Sequence, residues 1–581
     1  MADQANFPNI YIDGVTGGDG SLASPYSSFG DINWGLTGDN AVGGYYAGTP
    51  TASVKIHFKR DTVWRDDYNM SVAGDATYPI YLTSYATGDD PIFLGSVLVS
   101  DGSVYKWTPT SNWTSSYKEY YLELLGGGVT PLSEPKQVHI DDVRCSTYNL
   151  TLLAPEAIGV LQDHAFAWGD AGNGFDTIVI RDESGDPDTT GAVIEASQGN
   201  NWVFYLDQPY YVIENLDCRH SNGHGFRIVN DARNNHNVVI QDCVAKYNAW
   251  AGVQVYNAGN CIVRRCDLSH SAASCLNING ASDLSVLGLV VEDCDIHDAD
   301  LDVGPLFSEG SGMKAFRIDY STFRRNRWYN NPSGGFRFDG VELTAGCDFN
   351  EVYENEFFNN GGVRGNLYFQ MEFEFSSDNL VYSNYFHDPW GGGPNIGMSH
   401  SITDRNYIFN NVLTGSYTSD YRGSLTLQTF AGDSEGDQNY LYGNLIIGAS
   451  QAIRISSGPW TVLRNNIVVD SIGIDLNITE TSFASTIDSD YNCFTGLIRV
   501  YHTSYTLAQW QTYSAGIGNP CDVHSINDDP MLTDPDNGDF SLQTGSPCIG
   551  KGENLGEPFN IGLLPGSSWP DGVIIGDRDD T

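Results

Sequence analysis

From about residue 211 the chain repeats a short apolar run that carries one small polar residue. The runs read Val-Ile-Glu-Asn215-Leu, Ile-Gln-Asp-Cys243-Val, Val-Arg-Arg-Cys266-Asp-Leu and Val-Glu-Asp-Cys294-Asp-Ile. They continue as Phe-Arg-Arg-Asn326, Val-Tyr-Glu-Asn355-Glu-Phe, Val-Tyr-Ser-Asn384-Tyr-Phe, Phe-Asn-Asn411-Val-Leu, Leu-Tyr-Gly-Asn444-Leu-Ile and Leu-Arg-Asn-Asn466-Ile-Val. Successive marks fall 22 to 33 residues apart. No 3.6-residue period accompanies them, so each repeat predicts one coil of a β-solenoid made of short strands and turns. Stacked coils sit about 4.8 Å apart, and equivalent side chains form ladders. An inward Asn at a bend can hydrogen-bond its neighbours above and below, and a Cys there packs as a small buried hydrophobe.

A second strand opens most coils, usually after Gly: Gly225-Phe-Arg227-Ile, Gly252-Val-Gln254-Val, Cys275-Leu-Asn277-Ile, Gly312-Met-Lys314-Ala and Gly335-Phe-Arg337-Phe. Leu367-Tyr-Phe369-Gln370-Met, Leu425-Thr-Leu427-Gln428 and Ala452-Ile-Arg454-Ile follow. Period-2 alternation turns the apolar residues in and the polar ones out. The expected outward column is Arg227, Gln254, Asn277, Lys314, Arg337, Gln370, Gln428 and Arg454.

The ends differ from the middle. Opening strands and first coils are expected over residues 1–95, with Ile10-Tyr-Ile-Asp and Val54-Lys-Ile-His-Phe. Residues 96–200 break the rhythm and predict a small β insertion holding Trp107 and Trp113. Central coils occupy 201–495, and 496–581 reads as a capping tail that covers the exposed strand edges of the last coil.

These features resemble the pectate-lyase-like superfamily of right-handed parallel β-helix proteins. The opening Tyr11-Ile-Asp-Gly, Gly17-Gly-Asp-Gly and Ser24-Pro-Tyr is similar to its N-terminal start. Asp529-Pro-Met, Asn537-Gly-Asp-Phe-Ser-Leu and Gly545-Ser-Pro are similar to its C-terminal ending. The resemblance implies an all-β, right-handed parallel β-helix across nearly the whole chain. It leaves the activity open, because the superfamily holds lyases, hydrolases, epimerases and phage tailspikes.

Charge narrows the partners. Lys and Arg number 29 against 73 Asp and Glu, a net charge of −44. Nucleic acid is excluded, since phosphate binding needs a basic surface. Clustered acids such as Asp298, Asp300 and Asp302 would suit Ca²⁺ as a cofactor. Met1 to about Phe7 has neither a basic start nor an apolar run, so no signal peptide is read in this chain, and no apolar stretch predicts a membrane span. The expected location is extracellular or on a virion surface. Eleven Cys show no CxxC and no zinc spacing. The ladder Cys are expected to be free structural thiols.

Four sets of residues carry candidate chemistry. Lys314 and Arg337 lie about one coil apart. β-Elimination from a uronate needs a base at C5 and a cation at the carboxylate. The pair resembles the Lys and Arg of alginate-lyase-type β-helices. That resemblance makes Glu309 a metal ligand, although Phe307 stands where the family has a second Glu. Asp339, Glu342, Glu372 and Glu374 form a second set, and acids on successive coils suit glycoside hydrolysis. Histidines 220, 224, 270, 297, 387 and 400 form a third, with base or turn roles. The fourth is aromatic: Trp250, Tyr256, Trp328, Tyr329, Tyr368 and Trp390 can stack on sugar rings or pack turns.

The function expected from these residues is binding, with cleavage, of an extended polysaccharide, elimination being favoured over hydrolysis. Lys314, Arg337, Asp339 and Glu372 are the catalytic candidates. Arg227, Gln254, Asn277, Gln370, Tyr368 and Trp328 are the binding candidates. A phage spike binding host glycan is the rival reading. A secreted enzyme would be monomeric and a tailspike trimeric.

Overall fold

The computed structural model describes residues 9–555 except 16, 33, 35–52, 66, 101–103, 125–134, 148–160, 171–175, 199–201, 231–235, 282–284, 300–309, 340–345, 362–368, 400–402, 417–422, 429–437 and 457–460. The chain divides into two units, residues 1–277 with 299–310, and residues 278–298 with 311–581.

In the first unit, Asn9–Ile12 pairs in parallel with Val54–Lys59, which pairs with Ile80–Tyr85. Tyr211–Glu214, Val239–Gln241 and Ile262–Arg264 continue that sheet in parallel. Two further parallel sheets run through Asp217–Arg219 and through His224–Val229. Between Ser96 and Ser197 the pairing becomes almost wholly antiparallel, in two small sheets. Trp107, Tyr120, Ile140, Phe166, Ile178 and Ile194 fill a core of their own there.

The second unit repeats one coil plan. A strand such as Glu351–Tyr353 is followed by Glu356–Phe358 after a bend, and a third strand such as Met371–Glu374 completes the coil. Each strand pairs in parallel with its equivalent one coil away. Alternation explains the layers: Val352, Phe357, Met371 and Phe373 point inward and are fully buried, and the residues between them face out.

The bend between the first two strands is the Asn ladder. The residue before each ladder position has positive φ: Arg325, Glu354, Ser383, Asn410, Gly443 and Asn465, at 53° to 60°. That left-handed step costs a non-glycine residue about 1–2 kcal/mol, and the ladder offsets it. Asn384 Nδ2 donates to Val352 O (2.9 Å), Tyr382 O (3.1 Å) and Asn411 Oδ1 (3.0 Å), and its Oδ1 accepts from Asn355 N and Nδ2, both at 3.0 Å. Asn326, Asn355, Asn411, Asn444 and Asn466 repeat the pattern. A second ladder, Asn350–Asn379–Asn406–Asn439, lies on other turns and was not read from the sequence.

Asn215 does not belong to the ladder. Its φ is 57°, and its N–H bonds Asp242 O, so it is the bend residue; Leu216 is the residue in register with Cys243. All eleven Cys are free, and ten are buried. Cys243 Sγ lies 3.2 Å from Gln241 O and Cys266 Sγ 3.3 Å from Arg264 O, each turned to its own coil's carbonyl. Thiol titration in denaturant should therefore count all eleven without reductant, and mapping a Cys243–Cys266 disulfide would overturn this packing.

After Leu497–Val500 the third sheet ends in antiparallel Thr503–Tyr505. Helix Leu507–Gly516 follows, started by a Thr506–Gln509 capping box. Its buried Trp510 donates Nε1 to Asp522 Oδ2 at 2.8 Å. This cap covers strand edges that would otherwise be free to pair.

Candidate active site

The outward face of the third sheet in the second unit gathers charge. Strand register sets Lys314 beside Arg337 and Arg337 beside Glu372, and in the neighbouring column Asp339 beside Glu374. The four sequence-derived catalytic candidates therefore converge, with Glu374 as a fifth member. Lys314 Nζ is 2.9 Å from Asp339 Oδ2 and 5.0 Å from the Phe316 ring centre. Arg337 reaches Glu372 at 3.2 Å, Glu374 at 3.1 Å and Asp339 at 3.8 Å.

All five side chains are 10–17% exposed, so their charges act on one another with little screening. The two inner carboxyls are driven apart. Burial would raise Asp339, but Arg337, then Lys314, then a hydrogen bond from Glu374 hold it below the usual range. Burial pushes Glu374 up to about 8, aided by the Glu372 charge and by Asp339, against the pull of Arg337. At neutral pH the pair is one ionised and one protonated carboxyl, the division of labour that acid–base chemistry requires.

One close approach beside the cluster depends on a residue the sequence pattern did not mark. Gly397 is in register with Glu372, and a Cβ on it would lie 2.4 Å from the Phe369 ring. The missing side chain lets Phe369 lie against the sheet beside Glu372. Aligning Ile396-Gly-Met-Ser with Met371-Glu-Phe-Glu shows the gap in the column, but nothing in the sequence says that Phe369 fills it.

The raised Glu374 carboxyl has a stability consequence. The unfolded chain releases this proton near 4.5 and the folded chain near 8. Its contribution is full below the first value and lost as pH rises through the second. Glu374→Gln cannot lose that proton, so the drop in urea midpoint between about pH 6 and about pH 9 should shrink in the variant; an unchanged drop contradicts the assignment.

Several expected residues stand elsewhere. Trp328 is fully buried, stacked 6.0 Å from Phe357 and edge-on 5.2 Å from Phe336, so it packs the core instead of meeting a ligand. Gln370 is also fully buried and donates to Asn395 Oδ1 at 2.7 Å; the strand begins at Met371, which moves Glu372 into the outward register. Gln428 lies in the Asp339–Glu374–Ser399 column, and Thr426 is the residue beside Arg454. In the first unit Arg227 and Gln254 are in register, and Gln254 donates to Asn277 Oδ1 at 3.1 Å.

Trp250 and Trp390 are 39% and 40% exposed, while Tyr329 is stacked between His297 and Phe358. The histidines fill turns and ion pairs: His220 with Glu195 and Asp142, His297 with Asp298, His387 with Glu356. Asp300, Asp302, Glu309, Glu342, Tyr368 and His400 lie outside the described residues. Among the described residues no group of three or more His, Cys, Asp or Glu could hold a metal. The acids at the site face Lys314 and Arg337, and the residues expected to hold Ca²⁺ lie, Asp298 apart, outside the described residues.

With this geometry in view, residues 138–288 match the family model described as a right handed beta helix region. The chain is a right-handed parallel β-helix protein. Among solved structures, XylC in complex with xylose is similar at 12% identity and a TM-score of 0.56, over 81% of this chain and 88% of that one. Pectate lyase Pel9A is similar at 10% identity over 80% of each chain, with a TM-score of 0.33. A tailspike of Acinetobacter baumannii bacteriophage AP22 in complex with capsular saccharide is similar at 9% identity over 76% of this chain and 72% of that one, with a TM-score of 0.31. No curated protein sequence matches the chain. These similarities concern the fold alone. No helix among the described residues is long and apolar enough to cross a membrane.

Proposed function

We propose that this β-helix protein cleaves a polysaccharide by hydrolysis, with Glu374 as general acid and Asp339 as the carboxylate that attacks or assists at the sugar carbon. The observation that carries the reading is the pair of neighbouring carboxyls in register on adjacent strands, Asp339 faced by Lys314 and Arg337 and held below its usual range, Glu374 pushed above its own by burial. Glu374 holds a proton that it can give to the leaving glycosidic oxygen. Asp339 carries the negative charge suited to the oxocarbenium-like transition state. Asp339 and Glu374 are in register on adjacent strands, which favours the close carboxyl pairing of retaining glycosidases over the wider one of inverting enzymes. A double displacement through Asp339 is the matching course.

Hydrolysis replaces elimination as the favoured chemistry for two reasons. Lys314 faces Asp339 as an ion pair, a role that needs the ammonium, whereas a base needs the free amine. Arg337 is already shared among Glu372, Glu374 and Asp339, so the cluster has no spare cation for a uronate carboxylate.

A panel of acidic and neutral polysaccharides tests the reading. Hydrolysis releases new reducing ends without the ultraviolet absorbance of an unsaturated uronate. Products bearing that absorbance would establish elimination. A panel left wholly uncut would favour the glycan-binding spike.

A further inference from the structure

The first unit holds a second polar patch on an outward strand face, and its chemistry is the reverse of the acid cluster. Tyr205, Arg227 and Gln254 are in register on Trp202–Leu206, His224–Val229 and Ala251–Tyr256. The Trp202 and Tyr205 rings lie 4.5 Å apart, and the Arg227 guanidinium carbon is 5.3 Å and 5.7 Å from their centres. Two aromatic rings thus hold a guanidinium in place by cation–π contact.

Four polar atoms of this patch are buried without a hydrogen-bond partner: Trp202 Nε1, His224 Nδ1, Arg227 Nε and Gln254 Oε1. His224 is 6% and Gln254 7% exposed. Buried polar groups are nearly always paired, so four orphans together point to something that completes them. Burial, then Arg227, then Lys136 lower His224 to about 3, which leaves it neutral.

Charge supplies the rest. Arg219, Arg265, Arg324 and Arg337 each pair with carboxylates. Among the described residues no carboxylate pairs with Arg227, in a chain with 73 acids and 29 bases. A fixed guanidinium beside an indole N–H and an amide oxygen offers donors to a carboxylate and an acceptor to a neighbouring hydroxyl. Trp202 and Tyr205 supply faces for the sugar ring.

We propose that Trp202, His224, Arg227 and Gln254 form a subsite for a sugar residue bearing a carboxylate. The proposal rests on the glycan reading above and narrows it to acidic glycans. Binding is measured calorimetrically on Glu374→Gln protein, in which turnover of the ligand should be slowed about 10²-fold or more. The probes are trisaccharides of galacturonate, glucuronate and mannuronate, each beside its methyl ester. At least one acid should bind, with its ester tenfold weaker or more. Adding Arg227→Gln should erase that preference, and Arg227→Lys should keep part of it. Equal binding of acid and ester overturns the subsite without recourse to any variant at Arg227. So does an unchanged preference in Arg227→Gln, or no binding by any acid. Cleavage by the wild type is read separately, so loss of the subsite and loss of the hydrolase reading are distinguishable.

Discussion

Glu374→Gln should lower turnover of a cleaved glycan by about 10²–10⁴-fold, the range supplied by a positioned general acid. The amide keeps the size of the side chain and can still donate to Asp339, but it has no proton to give to a leaving oxygen. Binding should change little, because proton donation belongs to the transition state. Asp339→Asn should cost at least as much, since it removes the charge that Lys314 and Arg337 face at 2.9 and 3.8 Å. The wild-type rate should fall as pH rises through about 8, where Glu374 ionises. Rates within threefold of wild type for both variants would remove these residues from the chemistry. A rate that keeps rising above that pH would contradict Glu374 as the acid.

Asn384→Leu should be the most destabilising single change in the coils, at about 3 kcal/mol or more, because each buried group left unpaired costs about 1–3 kcal/mol. The side chain is fully buried and makes five ladder hydrogen bonds. Leucine has the same branched shape and number of side-chain heavy atoms and is no smaller, so the loss is polar and not a cavity. It leaves the buried Asn355 N–H without its acceptor and takes one hydrogen bond each from Asn355 Nδ2, Asn411 Oδ1, Val352 O and Tyr382 O. Urea denaturation gives the value, and a loss under 1 kcal/mol would mean that the ladder contributes little beyond packing.

The contrast between ladder and cleft shows what the sequence could disclose. The ladder was legible because one side chain, Asn, suits one backbone event, a left-handed step followed by a buried corner. It therefore recurs at Asn355, Asn384, Asn411 and Asn444. The acid cluster was legible as a list of residues, because alternation turned Lys314, Arg337 and Asp339 outward. Their protonation states were not, since these depend on how deeply the folded coils bury each carboxyl and on which charges face it. Gln370 and Trp328 were misplaced for related reasons. The strand at Met371 begins two residues later than the Gly-led pattern implied, and an aromatic on a short strand reads alike whether it faces in or out. Cys243 replaced Asn in the ladder without signalling that its neighbour in register is Leu216.

Digestion in heavy-oxygen water, followed by mass spectrometry of the products, tests the hydrolytic account most directly. The account predicts one solvent oxygen at each newly formed reducing end, and products that together exceed the substrate by one water per bond cut. Products with unsaturated ends and no solvent oxygen would contradict it.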